Sequence, residues 1–143
     1  MVSKNLEKKS EFEPLISFFV CKWCAYSAAD LAGSNRLQYP PNIRIFILPC
    51  SGKMDIIYAL KAFERGIDGV LVCGCPKDKC HNVDGNEKSK QIVQMVKNIS
   101  KNIGIDPSRI EMHLISARKS TKFVEIVENF VEQIRKLGPI KPK

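Results

Sequence analysis

The chain has 143 residues, 44% of them hydrophobic and 27% charged, the balance of one soluble globular domain with its own core. No apolar run approaches the roughly 20 residues of a membrane helix, and the polar start Met1–Pro14 lacks the apolar centre of a signal peptide, so a cytoplasmic protein with no membrane contact is expected. The net charge of +8 suits an acidic partner, but no predicted sheet face interleaves aromatic and basic residues and no recognition motif is present, which argues against nucleic acid.

Residues 1–14 read as an arm with too little apolar content to fold alone, with Phe12 and Pro14 to pin it to the domain or to another chain. The domain proper is expected over residues 15–137. Its first strand is Ile16–Cys21, an apolar run. A helix over Trp23–Leu37 follows, with Ala25, Ala28, Ala29, Ala32 and Gly33 at spacings that permit close packing. Tyr39-Pro40-Pro41 breaks the chain, because proline cannot continue a helix. The second strand is Ile43–Leu48, and Arg44 within it marks a sheet edge. Ser51-Gly52 turn the chain into a helix from about Lys53 to Arg65, stopped by Gly66, with Ile56, Ile57, Leu60 and Phe63 as its stripe.

The third strand is Gly69–Cys73, ended by Gly74 and Pro76. A helix over Asn86–Ile103 should turn Ile92, Val93, Val96, Ile99 and Ile103 inward. Ile110–Ile115 alternates apolar residues with Glu111 and His113 and forms the fourth strand. Ser120 or Thr121 is expected to cap the last helix, whose face is Phe123, Ile126, Val127, Phe130, Val131 and Ile134. Gly138-Pro139 end it, and residues 138–143 form a short basic tail that, like the arm, would dock on a partner.

Strand and helix alternate four times. Right-handed crossovers then make the sheet parallel. The expected fold is a four-stranded α/β sandwich, flavodoxin-like or Rossmann-like, in the order 2-1-3-4 with helices on both faces.

All six cysteines lie at or just after the carboxyl end of a predicted strand: Cys21 and Cys24, then Cys50, then Cys73, Cys75 and Cys80. In a parallel sheet those ends share one edge, so thiols far apart in sequence can meet. Cys21, Cys24, Cys75 and Cys80 would face the crevice between the first and third strands, flanked by Cys50. Cys73 still lies inside its strand and reads as a core residue. The first strand turn carries Cys21-Lys-Trp-Cys24 where a nucleotide-binding fold needs glycines, and no GxGxxG or P-loop occurs elsewhere, so neither a nucleotide nor a flavin is expected.

Three chemistries suit these thiols. One is an iron–sulfur cluster held by four converging thiolates. Another is zinc on the same pairs, in a purely structural role that stabilises an assembly module. The third is a dithiol redox pair at Cys21 and Cys24. His81, next to Cys80, reads as a loop residue capping backbone rather than a ligand, and His113 as structural. Trp23 and Tyr26 flank Cys24, where they could shield a cluster or simply pack. Lys22, Lys53, Lys77 and Lys79 in the cysteine loops would offset cluster charge, meet an acidic partner or simply be solvated. No Ser-His-Asp set and no paired carboxylates occur in these loops, so no substrate site of the chain's own is expected.

Four segments carry a family resemblance: Cys21-Lys-Trp-Cys-Ala-Tyr26, Arg36-Leu-Gln-Tyr-Pro-Pro41, Pro49-Cys-Ser-Gly-Lys53 and Gly74-Cys-Pro-Lys-Asp-Lys-Cys-His81. In order and over about residues 15–135, they resemble the delta subunit of methyl-viologen-reducing hydrogenase. The resemblance implies an electron-transfer subunit carrying a [2Fe–2S] cluster. It would work in a hetero-oligomer that links a [NiFe] hydrogenase to the flavin-containing subunit of heterodisulfide reductase in methanogenic archaea. The family pattern falls on Cys21, Cys24, Cys50, Cys75 and Cys80 and leaves Cys73 outside. Four of these five suffice for a cluster. Cys75 and Cys80 share one pliable loop and Cys50 sits in a turn, so all three are expected ligands. Cys24 opens a helix, whose N-terminus favours a thiolate, and is expected as the fourth ligand, with Cys21 beside it as neighbour or alternative.

Overall fold

Two apolar runs make the centre of the sheet. Strands β1 (Ile16–Cys21) and β3 (Gly69–Gly74) are buried along their whole lengths, as strands covered on both faces must be. They come from a computed structural model that describes residues 12–22, 28, 42–49, 53–74, 85–115 and 118–140. The remaining elements are β2 (Ile43–Leu48), α1 (Ile56–Glu64), α2 (Gly85–Asn102), a 3-10 turn at Pro107–Arg109, β4 (Ile110–Leu114) and α3 (Ser120–Leu137). The four strands stand in the order β2-β1-β3-β4, every pair parallel. This is the expected α/β topology. Of the helix expected over Trp23–Leu37 only Ala28 is described; it is helical and fully buried.

Alternation along the strands sends side chains to two cores. Phe18, Val20, Leu71 and Cys73 join Ala28 and the buried stripe of α3 on one face. Phe19, Val70, Val72 and Ile110 join α1 and α2 on the other. The α3 stripe is the one the sequence announces, Phe123, Ile126, Val127, Phe130, Val131 and Ile134, all buried. Phe123 stacks on Phe18 with ring centroids 5.5 Å apart. Burying each such side chain stabilises the fold by roughly 1.5–3 kcal/mol. β2 is an edge strand with Arg44, Phe46 and Ile47 exposed, which is how its internal arginine is accommodated.

The helices depart from expectation in detail. α1 is capped by Asp55, whose carboxylate accepts from the Ile57 amide at 3.0 Å, so the helix begins later than Lys53. It ends in a Schellman turn: Ile67 N–H reaches Ala62 O, and Gly66, at φ 89°, supplies the left-handed residue. Ile57 points outward, 50% exposed, and Ala59 and Phe63 carry the buried face. In α2 the buried row is Ser89, Val93, Val96 and Ser100, whereas Ile103, past the helix end, is 44% exposed. Neither Ser120 nor Thr121 caps α3. The N-cap is Lys119, without a side-chain bond; its carbonyl takes the Phe123 amide, which puts Ser120 inside the helix and buried.

A polar knot closes the amino edge of the sheet. Asp68 Oδ2 accepts from the Leu15 amide at 2.9 Å and Oδ1 from the Ile140 amide at 3.1 Å. Arg109 donates to Asp68 O at 2.9 Å and to Gly138 O at 2.7 Å. Both side chains are buried, so these bonds satisfy groups that water cannot reach. The knot ties the entry to β1, the entry to β3, the turn before β4 and the chain past α3 into one place. Glu13 adds an ion pair to Arg135 at 3.1 Å, and Asn42 donates to Pro14 O, so the last residues of the arm are fastened to the domain. No helix among the described residues is long and apolar enough to cross a membrane.

Candidate functional site

Parallel strands all finish on one side, and the register fixes how level they finish. Cys21, the last residue of β1, pairs with Leu48, the last of β2. One residue earlier Val20 pairs with Cys73, the penultimate residue of β3. Two further bonds carry the ladder to the rim: the Lys22 amide donates to Leu48 O at 2.8 Å and the Ile115 amide to Gly74 O at 2.9 Å. Neighbouring strands lie about 4.8 Å apart, so the chain leaves β2, β1 and β3 from points within roughly 10 Å of one another.

Each exit leads into a cysteine segment. Cys24 follows the end of β1 by three residues, Cys50 follows that of β2 by two, and Cys75 is the next residue after β3, with Cys80 five further on. Cys24, Cys50, Cys75 and Cys80 lie outside the described residues, as do Trp23, Tyr26, Lys77, Lys79 and His81. Of the expected site, the structure therefore describes Cys21 and the three strand ends that launch the loops. Among the described residues no three His, Cys, Asp or Glu side chains converge on a point that could hold a metal ion.

Below the rim sit two thiols in the apolar core. Cys21 is 1% and Cys73 0% exposed, within the cluster that includes Phe18, Val20 and Phe123. Burial pushes the Cys73 thiol far above the usual range. The nearby Cys21 adds to the rise, and a backbone hydrogen bond at His113 works against it. Burial thus favours the neutral thiol, and the position of Cys73 inside β3, fully buried in the apolar cluster, agrees with its reading as a core residue. His113, opposite Cys73 in β4, is itself half-buried. Desolvation lowers its pKa, Glu111 opposes and Lys122 assists. Lys22, the residue after β1, is exposed at the rim, and Lys53 is exposed ahead of α1.

Sequence reasoning missed the Asp68–Arg109 knot at the opposite edge. A lone Asp before a strand and a lone Arg 41 residues later carry no spacing signal. The hint available was an Asp directly preceding a glycine-led, fully apolar strand.

The fold is a parallel α/β domain whose sequence carries cysteines at or just after the carboxyl ends of three adjacent strands. The chain belongs to the family of methyl-viologen-reducing hydrogenase delta subunits, whose family model matches residues 16–138. It is 44% identical over 127 residues to the D-type iron-sulfur subunit of the vhu F420-non-reducing hydrogenase of Methanocaldococcus jannaschii, covering 89% of this chain and 95% of that one. It is 40% identical over 131 residues to the D-type iron-sulfur subunit of the F420-non-reducing hydrogenase of Archaeoglobus profundus, covering 92% and 96%. It is also 40% identical over 127 residues to the A-type subunit of the ferredoxin/F420H2-dependent CoB-CoM heterodisulfide reductase of Methanosarcina acetivorans. There the match covers 89% of this chain but only 16% of the longer protein, so the chain spans about a sixth of that relative's length.

Proposed function

We propose that the chain is an electron-transfer subunit that holds a [2Fe–2S] cluster at the carboxyl edge of the sheet, with Cys24, Cys50, Cys75 and Cys80 as ligands and Cys21 as neighbour or alternative. The observation that carries the reading is the register. It levels the ends of β1, β2 and β3 so that three cysteine segments leave from adjacent strands. The hydrogenase relatives, named as iron-sulfur subunits, support it.

A bound cluster would supply one-electron redox chemistry. The chain's own contribution is position and surroundings. The ladder bonds at Leu48 and Gly74 fix where the loops begin. The core cluster with Cys21 and Cys73 forms a dry floor beneath the rim, which lowers the local dielectric and keeps water from one side. Exposed Lys22, directly after β1, would offset negative charge there.

Electrons would pass between a [NiFe] hydrogenase and the flavin-containing subunit of heterodisulfide reductase, in methanogenesis. The hydrogenase side rests on the names of the hydrogenase iron-sulfur relatives. The heterodisulfide reductase side rests on the Methanosarcina heterodisulfide reductase chains, about a sixth of whose length matches this one. A domain joined covalently to one protein in some organisms is a natural partner of that protein where the two are separate chains.

Metal analysis of anaerobically purified protein tests the reading. About two irons and two acid-labile sulfides per chain are expected for one binuclear cluster. One tightly bound zinc with no iron contradicts it and leaves a zinc-stabilised assembly module. Serine substitutions then assign the ligands. Cys24→Ser should lose or strongly alter the cluster, whereas Cys21→Ser should keep it with a shifted potential. The reverse pattern moves the fourth ligand to Cys21.

A further inference from the structure

Edge strand β2 and helix α1 frame an open groove of about 590 Å³, on the sheet face covered by α1 and α2. Its wall is a row of stacked rings. Phe19 lies 5.2 Å from Phe46 and 5.9 Å from Tyr58, centroid to centroid. Phe46 and Tyr58 remain 46% and 45% exposed, and Ile47 and Ile57 beside them are half in solvent. Four large apolar side chains gathered on one patch is more than scattered surface residues produce, and it marks a binding surface.

The charge of the groove selects what fills it. Arg44, Lys61 and Arg65 all line it, and no carboxylate does. None of the three has an ion-pair partner among the described residues. A second copy of this chain would bring net charge +8 against three cations. The chain's own residues 1–11 carry three lysines against two glutamates and are no better matched. An occupant with apolar side chains and carboxylates satisfies both halves of the groove, and its carboxylates would steer encounter as well as fix register.

We propose that this groove is the docking site for an acidic segment of a partner protein, which seats large apolar side chains against Phe46 and Tyr58 and sets carboxylates against Arg44, Lys61 and Arg65. The proposal rests on the electron-transfer reading only in requiring a protein partner; it does not require the cluster.

The test uses the full chain co-purified with the hydrogenase and heterodisulfide reductase proteins. A photo-crosslinker at the groove, Tyr58→benzoylphenylalanine, leaves the cations unchanged. It should capture one peptide of a partner protein with Asp or Glu within a few residues of the crosslink. In parallel, Lys61→Glu with Arg65→Glu should weaken association with that partner by roughly a hundredfold at low salt. The double Gln variant should weaken it less and flatten its salt dependence. Crosslinking to a second copy, to residues 1–11 or to a basic peptide overturns the proposal, as does no crosslink in the assembled complex or unchanged affinity in the reversed-charge variant. Iron content measured on the same samples separates the two claims. Lost association with iron retained supports the groove. An acidic crosslink without iron also supports it and instead removes the electron-transfer reading.

Discussion

Asp68 and Arg109 show how few side chains hold the amino edge of the sheet. One carboxylate accepts two backbone amides from opposite ends of the chain, Leu15 and Ile140, the latter 72 residues away. An amide in its place can accept only one of them, which leaves a buried donor unsatisfied. Asp68→Asn should therefore destabilise the protein by about 2–3 kcal/mol in chemical denaturation, and a change below roughly 0.5 kcal/mol would mean that the knot is dispensable. Cys73 makes the opposite prediction. Its side chain is fully buried in the apolar core, so Cys73→Ser should leave the iron content at that of the unmodified chain and cost about 1–2 kcal/mol through a buried hydroxyl; a loss of iron confined to this variant would place Cys73 among the ligands. His113 contributes a pH dependence. Burial holds its pKa below the ordinary 6.5, so once the pH falls under that value the unfolded chain binds the proton more readily than the folded one. Stability is then lost on acidification. The fall in melting temperature between about pH 7.5 and pH 5.5 should be smaller in His113→Gln; an unchanged fall would exclude His113 as its source.

The packing of elements turns on one close approach. A Cβ on Gly69 would stand 2.9 Å from Ile134 Cγ1 and 3.0 Å from Phe130 Cε2, so α3 lies against β3 where only glycine leaves room. Gly69→Ala should cost about 1–3 kcal/mol by overpacking, read as a lower denaturation midpoint with iron per folded chain unchanged. A neutral result would mean that α3 shifts freely on the sheet. The sequence makes α3 plain, because six apolar residues recur with a helical period and every one is buried. It misleads on α1 and α2, because periodicity counts apolar residues and not neighbours. Ile57 fits the α1 stripe yet faces the β2 groove, and Ser89 and Ser100 fill buried positions of α2 that only apolar residues would have advertised. Ser120 has the chemistry of a cap but lies one residue too late to be one.

Across the whole molecule the two edges of one sheet divide the work. The amino edge is bound together by the Asp68–Arg109 knot, and the carboxyl edge launches the cysteine segments. Strand order was legible because alternating strands and helices with right-handed crossovers leave few topologies. The edge position of β2 was legible from Arg44. The knot was not, because its partners are single residues brought together only by the finished fold. Of the candidate site, only the strand ends were legible: strands of a parallel sheet finish on one edge, and the register of Cys21 with Leu48 and Val20 with Cys73 shows how level that edge is. The most direct test of the central claim is the electron paramagnetic resonance spectrum of the dithionite-reduced protein at low temperature. A single binuclear cluster predicts one signal integrating to about one spin per chain; a colourless protein with no signal and one bound zinc would contradict it.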